Sequence, residues 1–176
     1  AAAGWIQMDA YEGLISYDPT GKVVPGAAES WEISPDGLTY TFHLREGLKW
    51  SNGDPLVAQD FVNSILRTLN PDTASDKGYY FYSVIQVKGA KDLAEGTTKD
   101  TATLGVTAPD ERTVVIEMIS PSPNILQIMG GFQVAPLHSP SFNEFGAAVF
   151  IDPAHVVSNG AYIIKEVVPQ SHVLLE

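Results

Sequence analysis

The sequence predicts a mixed α+β fold, an antiparallel-rich sheet with flanking helices. Three observations predict it. Residues 31–45 alternate apolar and polar side chains on both sides of Pro35-Asp36-Gly37. Residues 58–69 instead space their apolar side chains at helical intervals. A second alternating run, Thr113–Ile119, follows another turn cluster, Pro109-Asp110-Glu111-Arg112. Period two means strands with one dry face, whereas spacings of three and four mean an amphipathic helix.

In chain order, Trp5, Met8 and Tyr11 suit a short opening helix that Gly13 ends. Leu14–Tyr17 reads as a strand and Asp18-Pro19-Thr20-Gly21 as a turn. The hairpin comes next. Trp31 and Ile33 share the buried face of its first arm, and Tyr40, Phe42 and Leu44 that of its second. At its turn Pro presets φ, Asp bonds nearby backbone and Gly tolerates positive φ. The cluster Ser51-Asn52-Gly53-Asp54-Pro55 makes a second break.

Ala58, Phe61, Val62, Ile65, Leu66 and Leu69 line one side of a helix that Asn70-Pro71 stops. Asp60 lies in its first turn, where the helix dipole favours negative charge. A second helix is expected over part of Tyr80–Leu93, weakened by Gly89, and Glu95–Thr103 is a polar loop. Leu104–Ala108 pairs with Thr113–Ile119. Short helices are expected near Asn124–Met129 and Ser139–Phe145, and strands at Gly160–Val168 and His172–Glu176. Without repeats or a low-complexity linker, residues 1–176 read as one unit.

Composition narrows the function. Twenty-one acidic residues against ten basic ones give a formal charge of −11. A phosphate backbone selects Lys and Arg, so no nucleic-acid partner is expected, nor adsorption to an anionic membrane. No apolar run approaches the roughly 20 residues that cross a bilayer. With no cysteine there is no disulfide, thiolate metal site or cysteine nucleophile. The N-terminus has neither a basic segment nor a long apolar one. It is not an intact signal peptide, and either a leader was removed or the sequence starts inside a longer chain.

Chemical motifs are scarce. His43, His138, His155 and His172 are scattered and none falls in a zinc spacing. No nucleophile elbow, phosphate loop or dinucleotide fingerprint occurs. Asp9 and Glu12, three apart on the expected opening helix, are the best acid–base pair, but nothing pairs with them. Asp110 and Glu111 sit in a turn and read as solvated charge. The aromatic run Tyr79-Tyr80-Phe81-Tyr82 supplies flat apolar bodies with polar tips, suited either to holding ligands or to packing.

The run PGAAESWEISPDGLTYTFHLREGLKWSNGDPLVAQDF resembles the signature of family 5 extracellular solute-binding proteins, the peptide and nickel receptors of ABC importers. The matching residues are Pro25, Ala28-Glu29-Ser30-Trp31, Asp36-Gly37, Tyr40 to Arg45, Gly47, Lys49-Trp50-Ser51, Gly53, Pro55, Ala58, Asp60 and Phe61. Glu12-Gly13-Leu14 precedes them as in the family. Asn70 to Ser75, Leu104-Gly105-Val106 and Val157 to Tyr162 resemble the oligopeptide-binding branch. Two positions depart from the pattern. Asn52 replaces the usual Asp, and Val57 replaces the usual Thr or Ser cap, a loss of typically ~1 kcal/mol.

The resemblance implies a longer two-lobed protein of the type II periplasmic-binding-protein-like fold. This chain would then be part of its first lobe. Residues of about 13–155 would form the small subdomain, and about 156–176 the strands leading back into the main lobe. It implies a receptor, not an enzyme. No catalytic residue, metal ligand or cofactor is expected. The partners would be a peptide and a membrane ABC permease. The place would be the periplasm, or the outer face of a membrane through a lipid anchor. Tyr80 matches best a cleft-flanking tyrosine, with Tyr79, Phe81 and Tyr82 carried along by adjacency. Self-association is expected through the strand edge and apolar surface near Gly160–Glu176. Alternatives are a family receptor for dipeptides, nickel chelates, oligosaccharides or opines, a hydrolase using Asp9 and Glu12, and a stand-alone interaction module.

Overall fold

A computed structural model describes residues 9–130, 134–150, 152–168 and 171–176. The expected opening helix falls largely outside them. Asp9 and Ala10 are helical, and the helix has ended before Glu12. Asp9 and Glu12 therefore do not share a helical face.

The centre is a four-stranded antiparallel sheet of β3 (Ala28–Ile33), β4 (Thr39–Leu44), β5 (Val106–Asp110) and β6 (Thr113–Glu117), in the order β3-β4-β6-β5. Before it lies the hairpin of β1 (Ile15–Tyr17) and β2 (Val23–Pro25). At the end of the chain lies that of β7 (Ile164–Val168) and β8 (His172–Leu175). The mixed fold with antiparallel sheets agrees with the sequence.

Register explains the core. Tyr40 faces Ile116 and Phe42 faces Val114, so the alternating apolar sets of β4 and β6 fall on one side. Helix α1 (Ala58–Leu69) covers that side with buried Phe61, Val62, Ile65 and Leu69. Burying each such side chain contributes about 1.5–3 kcal/mol. The opposite face, with Thr39, Thr41, His43 and Glu117, is left half-wet, as an antiparallel sheet allows.

The first arm of the hairpin departs from the pattern. Ile33 is 47% exposed, and Trp31 is half-buried with its ring 6.5 Å from that of Phe42. Position is the cause. β3 is the edge strand farthest from the strands α1 packs on, so although Trp31 lies opposite Phe42 and Ile33 opposite Tyr40, the helix does not cover them.

The helix expected within Tyr80–Leu93 is two pieces. Tyr80–Ile85 forms a wide π turn and Ala90–Ala94 forms α2. Between them Gln86 (φ 63°) and Gly89 (φ 73°) take left-handed conformations. Lys88 donates its N–H to Glu117, and Gly105 donates to Lys88, so this stretch joins the sheet rather than a helix. Gly89 lies so close to the Thr103 carbonyl that no side chain fits there. Two short helices, α3 (Ile125–Met129) and α4 (Ser139–Phe145), close the fold.

Candidate ligand-binding surface

The signature residues first make a scaffold. Trp50 donates its indole N–H to Asp60 Oδ2 at 3.1 Å, and the Val57 N–H reaches the same oxygen at 3.0 Å. Val57 itself offers no cap. Asp60 supplies the reciprocal half of a capping box, bonding back to the N-cap amide. Burial pushes the Asp60 carboxyl above the usual range, opposed by these hydrogen bonds. The turn 51–54 is pinned separately. Asn52 donates to Asp54 at 2.7 Å, and Asp54 meets His138 Nε2 at 2.9 Å. The Asn52 bond, then His138, holds the exposed Asp54 carboxyl below its ordinary value.

His138 is buried at the start of α4, its ring T-shaped to that of Trp50 with centres 5.2 Å apart. Its Nδ1 accepts the Ser141 N–H at 3.3 Å and lies 2.7 Å from Ser141 Oγ. That leaves the proton on Nε2, donated to Asp54. Asp54, His138 and Ser141 thus have the connectivity of a hydrolytic triad, but the setting is that of a helix cap. The adjoining cavity is about 10 Å³, room for about one water and no substrate. Among the described residues no cluster of acidic, His or Cys side chains could hold a metal.

A clasp joins the C-terminal segment to this scaffold. Ser158 donates its N–H to Ser51 Oγ at 3.0 Å, and Ser51 donates its N–H to the Ser158 carbonyl at 2.7 Å. Asn159 brackets Glu12, accepting its N–H at 3.2 Å and donating to its carbonyl at 2.9 Å. Gly160 donates to Ala10 at 2.8 Å, and a Cβ on Gly160 would lie 2.5 Å from the Ala10 carbonyl carbon. The Val157-to-Tyr162 match is therefore a piece of backbone architecture.

Around this clasp opens a cleft of about 410 Å³, lined by Tyr11 to Gly13, Ser16, Arg45, Gly130 and Asn159 to Ala161. Arg45 reaches Glu12 at 2.6 Å across it. Burial raises the Glu12 carboxyl, with Arg45 pulling the other way. Glu12 has thus a basic partner, and its place is a polar cleft wall.

The four aromatic candidates sit beside this cleft and are not among its lining. Tyr79 is 49% exposed, Tyr80 and Tyr82 are half-buried, and Phe81 is 1% exposed, facing the core. Tyr80 stands edge-on between Tyr79 and Phe81, at 6.4 and 6.2 Å. Its hydroxyl donates to the Ile128 carbonyl at 2.7 Å. The Tyr17 hydroxyl bonds to the adjacent Gln127 carbonyl, and the Tyr17 ring fills the space a Cβ on Gly130 would need. Helix α3 therefore links the tyrosines to the cleft through Gly130. The role of Tyr17 is not visible in its local sequence. Two signals could have pointed to it, the carbonyls that the end of a five-residue helix leaves without an intrahelical partner and the glycine that follows.

The family model "Bacterial extracellular solute-binding proteins, family 5 Middle" matches residues 22–176. The chain is similar to the periplasmic oligopeptide-binding protein OppA of Haemophilus influenzae, 42% identical over 86% of this chain and 27% of that protein. It is similar to OppA of Escherichia coli, 36% identical over 97% of this chain and 31% of that one. Among solved structures, H. influenzae OppA in complex with RPPGFSPFR superposes with a TM-score of 0.87 at 38% identity, over 94% of this chain and 32% of the other. A Borrelia burgdorferi oligopeptide-binding protein gives 0.88 at 33%, over 99% and 34%. The chain spans about a third or less of the length of these relatives. It belongs to the family 5 bacterial extracellular solute-binding proteins.

Proposed function

We propose that this chain is part of the first lobe of a receptor that captures peptides outside the cytoplasm and delivers them to an ABC permease. The observation that carries the reading is the superposition, over nearly the whole chain, on a relative solved with a bound peptide. Binding would be capture without bond-making. The lobes would close on an extended peptide as a hinge, with main-chain hydrogen bonds for affinity and roomy pockets for varied side chains. Residues of about 13–155 would act as the small subdomain and about 156–176 as the return to the main lobe. The exposed faces of Tyr79, Tyr80 and Tyr82 would form a wall beside the peptide, held by buried Phe81. Localisation would be periplasmic, or extracytoplasmic through a lipid anchor.

A second reading has one specific support. A relative 35% identical over 93% of this chain is described as a probable deoxycholate-binding periplasmic protein. Solutes other than peptides are therefore within reach of this scaffold.

The test is a ¹⁵N–¹H NMR titration of the chain with peptides of three to five residues and, separately, with deoxycholate. Peptide-induced shifts clustered at Tyr79–Tyr82 support the wall. Saturable shifts with deoxycholate and none with peptides favour the second reading. A folded spectrum without shifts assigns the contacts to the other lobe and removes the wall role from Tyr79, Tyr80 and Tyr82.

A further inference from the structure

Arg67 stands apart from the other arginines. Arg45 is paired with Glu12 and Arg112 with Glu29, as expected where acids outnumber bases two to one. Arg67, in the last turn of α1, has no carboxylate within 4.0 Å among the described residues. Its guanidinium lies over two rings, 4.8 Å from the centre of Phe142 and 4.7 Å from that of Phe150. Its Nε is buried without a hydrogen-bond partner. Burial lowers its pKa, with no neighbouring acid to offset the effect. The side chain is half-buried, and a cation drawn part-way out of water is stabilised when an anion offsets its desolvation.

The space beside it suits a partner from outside. A pocket of about 270 Å³ is lined by Arg67, Ser64, Thr68, Lys77, Phe81 and Phe150, among others. The Ser64 hydroxyl and the two cations can address an anionic head, and the rings an apolar body; the Thr68 hydroxyl donates to the Ser64 carbonyl at 2.9 Å. Among the described residues the Lys77 ammonium is tied to the exposed Asp76 beside it, a pair that contributes little and is easily exchanged. The pocket shares Tyr11 with the cleft around the clasp and Phe81 with the proposed wall, but its charged groups, Arg67 and Lys77, belong to neither.

We propose that this pocket is a second binding site, for a small carboxylate carrying an aromatic or branched aliphatic body, with Arg67 forked on the carboxylate. A planar guanidinium already oriented by two rings loses little freedom on forming two parallel hydrogen bonds.

The test compares 3-phenylpropanoate with its neutral isostere 3-phenylpropanamide by ¹⁵N–¹H NMR on the chain, including the Arg Nε–H signals. The expected result is saturable shifts at Ser64, Thr68, Lys77 and Phe150, a moved Arg67 Nε–H, and affinity at least about tenfold higher for the acid. Arg67→Gln is expected to abolish that preference. Should the variant fail to fold, the acid–amide comparison on the unaltered chain decides alone. Equal affinities, shifts spread over the surface, or no saturation with either compound overturn the proposal.

Discussion

Tyr17 and Tyr80, 63 residues apart in the chain by their numbers, donate their hydroxyls to adjacent carbonyls of one short helix, Gln127 and Ile128. Those carbonyls lie in the last turn of α3, among the groups that the helix itself leaves without an intrahelical N–H partner. Tyr80→Phe is expected to lower stability by about 1 kcal/mol, and Tyr17→Phe by less because its bond is exposed. Urea unfolding midpoints check both. Peptide affinity should survive Tyr80→Phe, because the proposed wall uses the ring, and fall with Tyr80→Ala.

Asp60 gives a pH prediction. Burial raises its carboxyl, the folded protein therefore binds this proton more tightly than the unfolded chain, whose value is ~3.9. The contribution is full below that unfolded value and is lost as pH rises through the folded one. Asp60→Asn keeps an acceptor for the Trp50 and Val57 N–H groups. It should remove this component, so the difference in stability between variant and parent should shift in the variant's favour as pH rises through the acid range. Asp60→Ala leaves both donors unpaired and should cost about 2 kcal/mol or more at neutral pH. Urea unfolding from pH 3 to 7 reads both.

Val57 opens α1 without a side-chain acceptor. Val57→Ser should stabilise by about 0.5–1 kcal/mol if its hydroxyl takes an amide of the first turn. A rise in urea midpoint at constant slope is the expected result.

Gly160→Ala would drive a methyl group into the Ala10 backbone. Backbone cannot yield as a side-chain tip does, so a loss of roughly 2 kcal/mol is expected, within the range for overpacking. A matching control is Lys22→Ala, on the exposed turn before β2. Thermal unfolding of the two variants should differ accordingly.

Tyr162, Ile163, Val167 and Leu174 are exposed on and beside the β7–β8 hairpin. Such an edge invites strand pairing. Sedimentation at rising concentration should show self-association, reduced by Leu174→Lys. A monomer up to millimolar concentration would remove this expectation.

The parts legible in the sequence are those whose signal is local. The alternation in Tyr40–Leu44 and Thr113–Ile119, and the helical spacing of Ala58–Leu69, come directly from residues a few positions apart. The turns at Pro35-Asp36-Gly37 and Asn70-Pro71 follow from backbone chemistry. What escaped depends on distant partners. Ile33 is exposed because of where β3 lies in the sheet. Gln86 turns left-handed because residues 86–88 are drawn to Glu117 and Ile119, which no helical propensity reports. His138 meets its Asp54 partner across 84 residues. Of the candidate aromatics, sequence supplied the cluster, but only packing distinguishes exposed Tyr79 from buried Phe81.

The clasp at Asn159 has a kinetic consequence. It ties residues 147 positions apart without a covalent link, in a chain with no cysteine. Closing so long a loop is entropically late, so the bracket on Glu12 should form after the β4–β6 pairing, whose partners are closer in sequence, and release before it. The amides of Glu12, Ser158 and Gly160 should then exchange with solvent together, as one cooperative unit, while those of Phe42 and Val114 stay protected.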